Sequence, residues 1–80
     1  MTLREELEGL VRLMVDVPDA VAVEELETAQ VTVFEVRLAE EDLGKVIGRQ
    51  GRTARAIRSL LIERGVWDGK RYEFEIVDAP

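Results

Sequence analysis

The stretch that most limits what this chain can become is Gly48-Arg49-Gln50-Gly51, entered by the apolar pair Val46-Ile47 and left by Arg52-Thr53-Ala54-Arg55-Ala56-Ile57. Glycine has no Cβ, so backbone at Gly48 and Gly51 can bend sharply and lie close to a ligand. A helix beginning after Gly51 aims unpaired N–H groups and a partial positive charge at the same spot. With cations on both sides, the arrangement suits a phosphate. Nucleotide hydrolysis is disfavoured because the Gly-Lys-Ser/Thr ending of such loops is missing. A dinucleotide site is disfavoured because the stretch does not follow a strand directly.

Periodicity on either side supplies a frame. Thr2-Leu3-Arg4-Glu5 reads as a capping box, and Leu3, Leu7, Leu10, Val11 and Met14 recur at helical spacing, which predicts a helix over about Leu3–Asp16, ended by Pro18-Asp19. Val21–Leu26 reads as a short strand with Val21 and Val23 on one face. Glu27–Gln30 reads as a tight connection, and Val31–Leu38 as a strand presenting Phe34, Val36 and Leu38 to the core. Glu40, Glu41 and Asp42 put three carboxylates at the start of a short helix ending at Ile47 or Gly48. The helix dipole accounts for them without a catalytic role. The helix after Gly51 is predicted to reach about Arg64, with Gly65 as its stop. Ala54, Ile57, Leu60 and Leu61 fall on its inner side and Arg52, Arg55 and Arg58 on the opposite side, with Ile62 among them. Val66–Gly69 reads as a loop, Lys70–Val77 as the last strand with Tyr72, Phe74 and Ile76 on one face, and Asp78–Pro80 as a tail.

The order is αββααβ. Strands two and three, joined by a helical crossover, should be parallel and right-handed, while strands one and two form an antiparallel hairpin. Three helices then pack on one face of a mixed three-stranded sheet, an α+β fold in two layers.

Composition narrows the chemistry. Eighty residues predict one domain, 1–80. The chain has no cysteine and no histidine, so disulfides, the usual metal sites and the common catalytic bases and nucleophiles are missing. Thr53 and Ser59 have no evident base partner. No enzyme activity, metal, cofactor or small-molecule substrate is expected. No apolar run approaches the roughly 20 residues of a membrane span, and the N-terminus lacks a basic region followed by an apolar one. The expected location is the cytoplasm. The formal net charge of −6 argues against a nucleic-acid partner, but its distribution argues for one. Gly44–Arg71 carries eight basic and two acidic residues, and the remainder three basic and fifteen acidic. A chain polarised in this way attracts a polyanion to one face.

Val46-Ile47-Gly48-Arg49-Gln50-Gly51, followed by an alanine- and arginine-rich helix within the order αββααβ, resembles the KH domain in its type II, prokaryotic arrangement. The absence of any extension makes the chain similar to the small bacterial single-KH RNA-binding proteins of the KhpA family. The resemblance covers nearly all of the chain and is strongest over Asp42–Leu61. It implies that the Gly-x-x-Gly loop clamps the backbone of about four single-stranded nucleotides. Gly48 and Gly51 would admit the strand, Arg49 and Gln50 would contact phosphate, and Lys45, Arg52 and Arg55 would add electrostatic hold. Val46, Ile47 and Ala54 would form the apolar floor, with strand two as the far wall. Many KH domains carry a larger aliphatic residue where Ala54 stands, so a shallow floor is implied. Phe34, Tyr72 and Phe74 look like core, which leaves no aromatic stacking platform. The resemblance further implies single-stranded RNA as partner and a homodimer or a heterodimer with a second KH-containing protein. It also implies a role in RNA-linked, post-transcriptional control of cell growth, shape and division. Ile62 and Arg58 are the candidates for a protein interface. The alternative is an assembly module with a KH fold and little intrinsic RNA affinity.

Overall fold

A computed structural model describes residues 1–78, in the order α1 (Leu3–Met14), β1 (Ala22–Glu27), β2 (Thr32–Leu38), α2 (Leu43–Ile47), α3 (Arg52–Asp68) and β3 (Tyr72–Asp78). Asp78 closes β3; Ala79 and Pro80, the rest of the predicted tail, lie outside the described residues. The sheet order is β1-β2-β3, with β1 antiparallel and β3 parallel to β2. The predicted α+β architecture, three helices against a mixed three-stranded sheet, is the one observed.

The local signals act where their partners are near in sequence. The Thr2 hydroxyl accepts from the Glu5 amide at 3.1 Å and the Glu5 carboxylate accepts from the Thr2 amide at 3.0 Å, the reciprocal capping box. Leu7 and Val11 are buried on the inner side of α1. Along β2, Thr32, Phe34, Val36 and Leu38 alternate inward with period two. They meet Val46, Ala54, Ile57, Leu61 and Phe74 in one core. Phe34, almost without exposure, anchors it; truncation to alanine should cost roughly 3–5 kcal/mol.

Four expectations are corrected by the structure. Helix α1 stops at Met14 rather than Asp16, because the Asp16 and Val17 amides leave the helix and donate to the Asp42 carboxylate at 3.1 and 3.0 Å. Asp42 therefore does not serve the start of its own helix. It is fully buried in the turn before α2 and holds the end of α1. Helix α3 continues past Gly65 to Asp68 and ends at Gly69, whose φ of 65° is the left-handed stop. Gly65 is required for space: a Cβ there would lie 2.4 Å from the Lys70 carbonyl oxygen, and the Lys70 amide donates to the Gly65 carbonyl at 2.9 Å. Val66–Asp68 are thus helix, not loop. Leu60 is exposed, at the rim of a shallow apolar groove where α1 meets α3.

The two sheet edges are treated differently. On the β1 side, Arg4 and Arg12 donate to the Val23 and Val21 carbonyls, and Glu8 accepts from the Val23 amide. These side chains of α1 occupy backbone groups that another strand would need. On the β3 side, no further strand pairs among the described residues. Helix α1 packs over β1 and α3 over β3, and a cavity opens between α3, the start of β3 and the turn that joins β1 to β2.

Candidate nucleic-acid interface

The Gly-x-x-Gly loop is a tight reversal between α2 and α3. Gly48 has φ 81° and ψ 168°, a region almost confined to glycine. A Cβ there would lie 2.3 Å from the Thr53 hydroxyl oxygen and 2.7 Å from the Thr53 amide nitrogen. Gln50 and Gly51 are both left-handed, with φ 57° and 73°. A non-glycine residue held at positive φ is a strained position of the kind that collects at binding sites. The Gly48 amide donates to Gly44 and the Gly51 amide to Gly48, at 2.9 and 3.0 Å. The amides of Arg49 and Gln50 have no internal acceptor among the described residues. The loop is exposed, so a ligand can reach it.

The cations sort into two groups. Of the eleven basic side chains, seven are ion-paired. Arg4 and Arg12 pair with Glu8, Arg37 with Glu35, Arg64 with Glu6 and Asp68, Lys70 with Glu27, and Arg71 with Glu73. Lys45, predicted to hold the backbone, lies 3.0 Å from Asp16 and 3.2 Å from Asp42. The hydrogen bond to Asp16, then that to Asp42, raises its pKa above the ordinary lysine value. Burial pushes the Asp42 carboxyl up, but the bonds from Asp16, Val17 and Lys45 outweigh it and hold its pKa below the usual aspartate value. The remaining four cations, Arg49, Arg52, Arg55 and Arg58, have no carboxylate partner among the described residues. They are consecutive along the loop and the first turns of α3. Arg55 donates to the Gln50 carbonyl at 2.8 Å and Arg52 to the Gln50 side chain at 3.3 Å, bracing the loop while keeping full charge.

The apolar candidates separate as well. Val46 and Ala54 are buried and support the loop from beneath, while Ile47 is exposed beside it. Strand β2 cannot be the far wall, because it is the central strand and both its edges are paired. The strand with a free edge beside α3 is β3. Arg58 lines a cavity of about 990 Å³ between α3, the start of β3 and the Thr28–Val31 turn. Arg58, predicted for a protein contact, sits with its guanidinium carbon 4.9 Å from the Phe74 ring centroid. Ile62, exposed, follows it along the same side of α3. Asp42 and Phe74 escaped sequence reasoning: one carboxylate in an acidic run looks like the next, and the alternation of β3 assigned Phe74 to the core alone.

Among the described residues no helix is long and apolar enough to cross a membrane, and no group of three or more acidic residues is placed to hold a metal ion. The family model for the KhpA/KhpB KH domain matches residues 4–76. The RNA-binding protein KhpA of Clostridium acetobutylicum is 41% identical over 75 residues, covering 94% of this chain and 100% of its own length. That of Streptomyces coelicolor is 46% identical over 76 residues, covering 95% and 92%. That of Bacillus subtilis is 44% identical over 69 residues, covering 86% and 85%. Among solved structures, a crystal structure of Era in complex with MgGDPNP and nucleotides 1506–1542 of 16S ribosomal RNA has a TM-score of 0.64 at 20% identity. The match covers 98% of this chain and 31% of that one, a likeness of fold alone.

Proposed function

The chain belongs to the KhpA/KhpB KH-domain family, and on that premise we propose that it is a non-enzymatic module binding single-stranded RNA, with residues 1–80 working as one KH unit in the cytoplasm. The observation that carries this is the run of four arginines without a carboxylate partner among the described residues, Arg49, Arg52, Arg55 and Arg58, beginning in the Gly-x-x-Gly loop. In a chain of net charge −6, the full cationic field is concentrated on one track. The loop clamps the sugar–phosphate backbone through Arg49 and Gln50 and their unoccupied amides. Arg52 and Arg55 hold the adjoining phosphates, and Ile47 meets the strand at the loop's entrance. Lys45 acts from behind as part of the buried Asp42 tie.

Four cations give a modest hold, so working affinity is proposed to come from a second KH module, in a homodimer or a heterodimer. The task served is RNA-linked control of cell growth, shape and division. The test is the double substitution Arg49→Asp with Gln50→Asp. RNA binding should vanish while circular dichroism and melting stay unchanged; RNA affinity that survives in this variant defeats the clamp. Competition between matched RNA and DNA oligomers reads the sugar preference.

A second reading, an assembly module with little RNA affinity of its own, draws on the apolar side chains that α3 leaves in solvent: Ile62 at 63% exposure, with Val66 and Trp67. Light scattering on wild type and Ile62→Asp decides. A monomer at micromolar concentration in both counts against this reading.

A further inference from the structure

We infer that Arg58, seated on Phe74, is a stacking platform for one nucleobase of the bound strand; the inference rests on the RNA-binding reading above and extends its site beyond the loop. Phe74 is buried, and its ring is covered by the guanidinium of Arg58, whose own side chain is exposed and lines the cavity. A guanidinium is planar and delocalised, and an unstacked base packs on it as on an aromatic ring. The contact with Phe74 orients Arg58 in advance, so less side-chain freedom is lost when a base arrives.

The surroundings select a base over a phosphate at this point. Arg58 is the last of the unpaired arginines, about 9 Å along the helix axis from Arg52. Past it, the cations at the cavity mouth are neutralised, Lys70 by Glu27 and Arg71 by Glu73. The α3 wall then turns apolar with Ile62 and Val66, both exposed and both lining the cavity. Electrostatic hold on the backbone therefore ends where apolar surface begins. A strand gripped at the loop meets at Arg58 a flat π-surface with room in front of it. The other aromatic groups do not offer one. Phe34 is in the core; Tyr72, half-buried at the cavity, packs its ring against Phe34 with centroids 5.6 Å apart and bonds its hydroxyl to Asp68 at 2.7 Å. Trp67 stands on a different side of α3, away from the residues that line the cavity.

The test uses the full chain and an oligoribonucleotide of about six nucleotides, intact or with one abasic residue moved along it. Affinity is read by fluorescence anisotropy at two salt concentrations. At one position, loss of the base should weaken wild-type binding about fivefold, the lower range for one stacked base. Arg58→Lys should weaken the intact oligomer by the same factor and leave the oligomer abasic at that position unchanged. Its salt dependence should match wild type, because the charge is kept. Equal weakening of intact and abasic oligomers, or no weakening of either, overturns the platform while leaving the clamp standing. Absence of any RNA binding by wild type overturns both, and Arg49→Asp with Gln50→Asp separates the two sites when binding is present. Arg58 is exposed, so the lysine variant should melt with wild type.

Discussion

Salt dependence offers the most quantitative test of the phosphate track. Each phosphate neutralised on a single strand contributes about −0.7 to the slope of log affinity against log salt. If Arg49, Arg52 and Arg55 each neutralise one phosphate while Arg58 holds a base, the slope is about −2.1, and affinity falls about 20-fold between 50 and 200 mM salt. Arg52→Ala should reduce the slope to about −1.4, so that the same change in salt costs about sevenfold. Lys45→Ala should leave the slope at the wild-type value, because its ammonium is already committed to Asp16 and Asp42. Filter binding or anisotropy over a salt series with a labelled single-stranded RNA makes the comparison. Melting curves confirm that both variants are folded. A wild-type slope near −0.7, or an equal loss of slope in Lys45→Ala and Arg52→Ala, refutes the sorting of cations into paired and available.

The two loop glycines should behave unequally. Gly48→Ala enters a conformation nearly closed to other residues and collides with Thr53, and should cost about 3 kcal/mol, lowering Tm by more than about 10 °C. Gly51→Ala, with only Arg55 at 3.5 Å, should cost about 1 kcal/mol; equal shifts in thermal melts would contradict the geometry. Tyr72 is the sole tyrosine, and its hydrogen bond to Asp68, then burial, pushes its pKa up to about 12. Its bond therefore stabilises the fold fully below about pH 10 and ceases to do so as pH rises through about 12. Absorbance titration should give a midpoint near 12 in wild type, moving toward about 10 in Asp68→Asn. Asp42 has a lowered pKa, so its stabilisation is present above its unfolded pKa of about 4 and lost as pH falls through the lower folded value. Asp42→Asn should flatten the acid limb of the stability curve, and an acid limb identical to wild type would show that Asp42 does not govern it.

What could be read in the chain beforehand was what neighbours in sequence decide. The Thr2–Glu5 box, the alternation of β2 and the glycines at Gly48 and Gly51 each act within a few residues, and each stands where the pattern puts it. The misreadings share one physical cause. Gly65 has the look of a helix stop, but it is a close contact with the carbonyl of Lys70, and the stop is Gly69. Asp42 joined its acidic neighbours on paper but serves amides 25 and 26 residues away. Lys45 and Arg52 are both cations flanking one loop; only folding shows that one is neutralised and the other is not. The far wall of the groove belongs to β3 because strand order, which no single segment encodes, puts β2 in the middle.

The α1 side chains that seal β1 leave the molecule lopsided. A visiting peptide seeking to lengthen the sheet finds its hydrogen-bonding positions at Val21 and Val23 taken by Arg4, Glu8 and Arg12, and must go to the opposite border. The start of that border, at Tyr72–Phe74, lines the cavity that Arg58 also lines. A strand added to the sheet and a ligand in that cavity would therefore approach the molecule from the same border.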